Sequence, residues 1–292
     1  MSGARRFKQV DVFTGVPLKG NPLAVVLNAD GLTEPQMQAL ARWTNLSETT
    51  FALAPTTAQA DYRVRIFSPG VEFPFAGHPT LGTAHALLEA GLVPKTPGRL
   101  VQECGVGLVD IRIGEDGALA FKAPAAELTA LHPGLFPALR AALQSEAFCT
   151  TPAPVIANMG ISWLVVRMHS AADCLAVQAD AEAMGAFTRL GVTGIAAYGM
   201  HAPGGPADWE VRAFFTKMGV LAEDPVTGSA NACIARVLQA QGFDDAQACS
   251  QGYQARQGTA LQCDGRIRVD YLDDEPWIGG QSTTIIDGAI TM

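Results

Sequence analysis

The sequence predicts an α+β fold made of two pseudo-symmetric halves, each a mostly antiparallel sheet with its own motif helix, and three observations carry this. A short motif is written twice, as His78-Pro79-Thr80-Leu81-Gly82-Thr83-Ala84-His85-Ala86 and as Asp224-Pro225-Val226-Thr227-Gly228-Ser229-Ala230-Asn231-Ala232, with lead residues 146 positions apart in a chain of 292. That spacing is what duplication of a half-length unit leaves. The flanking segments match as well: Trp209-Glu210-Val211-Arg212-Ala213-Phe214 parallels Tyr62-Arg63-Val64-Arg65-Ile66-Phe67, and Ile161 to Val166 parallels Asn21 to Val26. Finally, strands and helices do not alternate in the regular way that a doubly wound parallel sheet needs. The expected division is residues 1–127 and 128–292, with the last strand free to return to the first half.

In chain order, Phe7 to Phe13 and Pro22 to Leu27 read as strands around the Gly15 to Asn21 turn region. Thr33 with Gln36 three residues on forms a capping box that opens a helix, in which Met37, Leu40 and Ala41 share a face and which ends near Thr44. Tyr62, Val64 and Ile66 alternate with charged residues and predict a half-exposed strand. After the first motif helix, Leu108 to Ile113 and Ala118 to Lys122 form a hairpin around Glu115-Asp116-Gly117. The Ala- and Pro-rich residues 123 to 152 connect the halves, with one short helix near Leu135 to Leu143. A helix over Ala181 to Leu190 stops at Gly191, and a second hairpin is expected to turn at Asp264-Gly265.

With 48% hydrophobic and 16% charged residues, the chain can bury one large core or two medium ones without disulfide or metal staples. A formal net charge of -8 with no basic stripe argues against a nucleic-acid or anionic-membrane partner and for a small molecule. No apolar run reaches membrane-spanning length. Arg5, Arg6 and Lys8 lead into Val10-Asp11-Val12-Phe13, not into the apolar stretch of a secretory signal, so the expected location is the cytoplasm. The six cysteines contain no Cys-x-x-Cys pair and the five histidines no His-x-x-x-His pair, so no metal site is expected.

Each motif copy runs from a polar residue through Pro to Gly and then into an apolar helix. A helix start leaves backbone N-H groups unpaired and carries partial positive charge, and Gly lets a ligand approach the backbone. Two such ends facing one crevice would hold an anion. The lead residues differ, His78 in one copy and Asp224 in the other, and helix capping does not explain a His there. The repeat also breaks at Glu48: the position 146 residues on is Gly194. The chain thus offers one principal proton carrier, Glu48, with His78 and Asp224 beside the motif helices. Glu48 lies among Leu46, Phe51 and Leu53. A carboxylate in a partly apolar site is expected to titrate closer to neutrality, which suits a general base that returns its proton as a general acid.

Three segments carry a resemblance: Asn45-Leu46-Ser47-Glu48-Thr49-Thr50-Phe51, Phe75-Ala76-Gly77-His78-Pro79-Thr80-Leu81-Gly82, and Glu223-Asp224-Pro225-Val226-Thr227-Gly228-Ser229-Ala230. In this order they are similar to the signature segments of the PhzF (phenazine biosynthesis protein) family, and Gly20-Asn21-Pro22 fits as well. The resemblance implies a diaminopimelate epimerase-like fold, with two curled sheets each around a central helix and the active site between the halves. It implies a homodimer and a cofactor-free isomerisation of the kind undergone by trans-2,3-dihydro-3-hydroxyanthranilate. Carried over residue by residue, Glu48 is the acid/base, His78 and Asp224 hold polar groups of the substrate, and Gly77, Gly228 and Ser229 supply backbone or hydroxyl donors. The epimerase relatives use two cysteines in these loops; none stands in either motif here, against a two-thiol racemase. A racemase, epimerase or dehydratase of an amino or hydroxy acid, and a non-catalytic ligand-binding protein on the same fold, are the competing readings.

Overall fold

The capping box at Thr33 is formed: Gln36 Oε1 accepts from the Thr33 backbone N-H at 2.9 Å, and helix α1 (Glu34–Thr44) follows, ending on Asn45 in the left-handed region at φ 53. In the computed structural model, which describes residues 3–217, 219–243 and 247–292, this helix belongs to the first of two units. That unit comprises Met1–Lys122 with Gly279–Met292; the second is Ala123–Ile278.

The first unit holds strands β1 (Ala4–Val12), β2 (Asn21–Val26), β3 (Glu48–Leu53), β4 (Tyr62–Phe67), β5 (Glu72–Phe73), β6 (Arg99–Cys104), β7 (Gly107–Ile113) and β8 (Leu119–Lys122), with helix α2 (Gly77–Glu89) between β5 and β6. Most neighbours are antiparallel, but β2 runs parallel to β3 and β4 parallel to β6, so the sheet is mixed. Strand periodicity sends alternate residues to opposite faces. Phe51 and Leu53 pack with Val26 and Phe67 against Met37, Leu40 and Ala41 of α1. The other face receives α2, which packs on β1, β2, β3 and β8. Gly82 makes this packing close: a Cβ there would lie 2.6 Å from Leu23 Cδ2 and 2.7 Å from Val12 Cγ2.

The second unit opens with β9 (Glu127–Ala130) and α3 (Phe136–Leu143), then β10 (Val155–Asn158), β11 (Ser162–Arg167), α4 (Ala171–Ala176), α5 (Ala181–Thr188), β12 (Gly194–Met200), β13 (Trp209–Lys217), β14 (Val220–Asp224) and α6 (Gly228–Ala240). Strands β15 (Gly252–Gln257), β16 (Gly265–Leu272) and β17 (Glu275–Gly280) follow, and β18 (Ser282–Thr291) pairs with β1 in the first unit. The pattern of the first unit recurs, with β11 parallel to β12 and β13 parallel to β15. Leu139, Leu143, Met184 and Phe187 bury one face of β11 to β13, and α6 packs on β10, β11 and β12.

The second hairpin pairs β15 with β16 antiparallel, from Gly252 opposite Asp270 to Gln257 opposite Gly265, and its connection, residues 258 to 264, contains a short 3-10 turn and ends at the expected Asp264-Gly265. A further tight turn at Asp273-Asp274, both at positive φ, joins β16 to β17; it lacks the Gly that marks such turns in a sequence. Among the described residues no helix is long and apolar enough to cross a membrane.

Candidate active site

Glu48 is the first residue of β3 and stands opposite Leu23 of β2. Leu23 points at α2, and Glu48 and Thr50, two residues apart, share that face. Thr83 of α2 donates to Thr50 Oγ1 at 2.8 Å, fixing strand to helix. Two strand residues rise roughly 7 Å and five helical residues roughly 7.5 Å, so the same alignment carries Glu48 to His78 near the start of α2. Glu48 Oε2 and His78 Nε2 lie 3.2 Å apart. The structure thus brings together two of the residues singled out from sequence.

His78 is only 5% exposed. Burial lowers its pKa to about 3, so near pH 7 the ring is neutral. A neutral imidazole keeps one N-H donor and one acceptor nitrogen; His78 Nε2 is close to Glu48 Oε2 but not aligned to hydrogen-bond it. The start of α2 carries no side-chain cap. Its N-cap is Ala76, whose side chain cannot cap, and no acidic residue occupies the first turn, which opens on Gly77.

In the second unit, Asp224 ends β14 and Gly228 and Ser229 open α6. Thr227 Oγ1 donates to Asp224 Oδ2 at 2.7 Å. As the N-cap residue it would ordinarily accept from the helix with that oxygen, but no such side-chain cap is made, and again the first turn has no acid. Ser229 Oγ accepts from Trp163 Nε1 at 3.0 Å. Indole N-H only donates, so the Ser229 hydroxyl proton is left to donate elsewhere.

The break in the repeat has a physical cause. Gly194 opens β12 opposite Trp163 of β11, in the arrangement that Glu48 and Leu23 have in the first unit. A Cβ on Gly194 would lie 2.3 Å from the Phe214 carbonyl oxygen and 2.6 Å from Trp163 Cζ3. The indole fills the place of a carboxylate side chain. Sequence reading missed Trp163, although a Trp where the first half has Leu23 is a visible signal. It also missed Gln257, 33 positions from Asp224 and in no motif, and gave no role to Asn231, although that residue stands within the second motif.

A hollow of about 440 Å³ in the second unit, walled by Leu175 to Ala179, Arg212, Phe214, Leu221 and Glu223, is a weaker candidate. Arg212 is engaged by both Glu223 oxygens, at 2.9 and 2.8 Å, and by the Leu175 and Val177 carbonyls. Its charged groups already satisfy one another. Among the described residues no group of three or more His, Cys, Asp or Glu is placed to hold a metal ion.

Comparison with known proteins adds an independent line. The family model described as phenazine biosynthesis-like protein matches residues 10–288. A protein of Schizosaccharomyces pombe named antisense-enhancing sequence 1 is 33% identical over 297 residues, covering 97% of each chain. A trans-2,3-dihydro-3-hydroxyanthranilate isomerase of Pseudomonas aeruginosa is 36% identical over 226 residues, covering 77% of this chain and 76% of its own. The crystal structure of a PhzF-family phenazine biosynthesis protein from Bacillus anthracis shares the fold with a TM-score of 0.82 at 24% identity, covering 99% of this chain and 100% of that one.

Proposed function

This chain belongs to the phenazine biosynthesis-like protein family and is an isomerase, and from that premise we propose that it moves a proton between two carbons of a small carboxylate-bearing substrate with Glu48 as the single acid/base. The observation that carries the reading is the Glu48–His78 pair at 3.2 Å beside the uncapped start of α2. The crowding at Gly194 supports one carrier rather than two.

The Glu48 carboxylate takes a proton from an activated carbon, and the C-H electron pair enters a conjugated system that ends on the substrate's carboxylate. The shifted double bond leaves a second carbon nucleophilic, and Glu48 returns the proton there. One carrier implies transfer on one face. Developing negative charge is stabilised by the N-H groups at the start of α2, which are fixed before the reaction and need no reorganisation. Neutral His78 hydrogen-bonds the carboxylate or a hydroxyl of the substrate without adding a charge that would trap Glu48 as its anion. Asp224 is assigned to a polar group of the substrate, and Gly77, Gly228 and Ser229 to donors.

The test is incubation of trans-2,3-dihydro-3-hydroxyanthranilate with the wild type and with Glu48→Gln, followed by proton NMR. The substitution keeps shape and removes basicity, and a positioned acid/base is worth on the order of 10² to 10⁴ in rate. Wild-type turnover reduced by that factor supports the reading. Equal turnover at equal folded stability overturns it. A product that differs from the substrate only in configuration points to a racemase or epimerase instead.

A further inference from the structure

The Asp224 carboxylate stands at the end of a hydrogen-bond chain that begins at Gln257, a fully buried residue at the end of β15. All four hydrogen-bonding positions of this amide are filled. Its Oε1 accepts from the Thr227 backbone N-H at 3.0 Å and from Asn231 Nδ2 at 3.0 Å. Its Nε2 donates to the Asp224 carbonyl at 3.0 Å and to Thr227 Oγ1 at 2.9 Å. The partners fix which way the amide points, since a backbone N-H can only donate and a backbone carbonyl can only accept. Asn231 Nδ2 also donates to the Thr227 carbonyl at 2.9 Å, which fixes that amide too.

The direction of the next bond follows. Thr227 Oγ1 receives a proton from Gln257, so its own proton goes to Asp224 Oδ2, 2.7 Å away. The Thr227 hydroxyl is thereby drawn from capping α6 to holding a carboxylate. The loop beneath is seated on glycine. A Cβ on Gly258, at φ 94, would lie 2.6 Å from the Pro225 carbonyl oxygen, and one on Gly265 would lie 2.2 Å from Val226 Cγ2.

The first unit contains the same pair in another use. Buried Gln102 donates to Thr80 Oγ1 at 2.9 Å, but Thr80 donates onward to the Ala76 carbonyl at 2.9 Å, within the helix start. There the Gln–Thr pair ends on backbone; in the second unit it ends on a carboxylate.

We propose that Gln257 and Thr227 are positioning residues for Asp224, fixing the orientation of its carboxylate through a polarised chain of two hydrogen bonds that ends on Oδ2. This rests on the substrate-holding role proposed above for Asp224.

Crystal structures of Thr227→Val and Gln257→Leu test the positioning, and kinetics on trans-2,3-dihydro-3-hydroxyanthranilate test its consequence. Thr227→Val is isosteric and carries the test alone if Gln257→Leu does not fold. The expected result is an Asp224 side chain released from its present orientation. KM then rises roughly tenfold, the worth of a hydrogen bond to a charged group, with kcat changed less than about threefold. Thr227→Ser, which keeps the hydroxyl, restores the wild-type KM. In an Asp224→Ala background, Thr227→Val adds no further loss, since no acceptor then remains for the Thr227 hydroxyl to hold. An Asp224 side chain unmoved in the variants overturns the proposal, as do losses that add. Release of Asp224 in a protein whose wild type does not turn over this compound supports the positioning and removes the substrate assignment instead.

Discussion

His78 is a titratable residue placed where a proton is costly, and this makes its role measurable through pH. Its folded pKa of about 3 lies below the ordinary value of 6.5 because burial penalises the charged ring. Above pH 6.5 the ring is neutral whether folded or unfolded, and its contribution is complete. As pH falls from 6.5 toward 3, the unfolded chain binds a proton that the folded one refuses. Stability is therefore lost by about 1.4 kcal/mol per pH unit from this group, and the loss levels off below pH 3. Urea unfolding of the wild type and of His78→Gln across this window checks the sign: the variant's stability falls less steeply with acid. Parallel curves contradict the burial account. The residue itself was legible in the sequence, because a His leading a helix-start motif has no capping purpose. Its neutrality was not, since that depends on packing around α2.

Among the elements, the pairing of strand β3 with helix α2 brings Glu48 to His78, and glycine sets the distance. Gly82→Ala places a methyl group against Leu23 and Val12 and forces α2 away from β1 and β2. The expected cost is about 1–3 kcal/mol, as for other overpacked cores, together with reduced turnover because His78 moves with the helix. Gly194→Ala is expected to cost a similar amount, because its new Cβ meets backbone at Phe214 and β12 must part from β13. Its turnover change should be small by comparison. Thermal unfolding beside activity distinguishes the two variants, and equal activity losses contradict the assignment of the chemistry to the Glu48–His78 pair. The capping box at Thr33, the strand at Tyr62 to Phe67 and both motif helices could be read from local patterns. Strands β6, β9, β10 and β12 were not singled out, since their identity depends on which neighbour they pair with. Gln257 escaped notice for the same reason: its partners lie 26 to 33 positions away in sequence.

At the scale of the whole molecule, the two units share their pattern of strand pairings and differ at Glu48 and Gly194. Both units keep an Arg beside a Phe and paired with a Glu: Arg65 with Glu72 at 2.5 Å, and Arg212 with Glu223 at 2.8 Å. The second pair is far more buried, with side chains 9% and 11% exposed against 27% and 34%. Glu223→Ala therefore leaves a buried guanidinium without its partner and is expected to cost about 3–5 kcal/mol. Glu72→Ala should cost about 1 kcal/mol or less. Chemical denaturation of the two variants checks this, and equal losses contradict it. Sequence comparison of the halves exposed the break at Glu48 and Gly194, but only the backbone geometry explains why the second position is closed to a side chain. In the proposed mechanism one carboxylate carries one proton on one face. It is tested most directly by running the isomerisation of trans-2,3-dihydro-3-hydroxyanthranilate in D₂O and reading deuterium in the product by NMR. Any deuterium at the newly protonated carbon is expected on the face from which the proton left, and Glu48→Gln is expected to abolish its entry. Deuterium on the opposite face, or entry undiminished in Glu48→Gln, would contradict it.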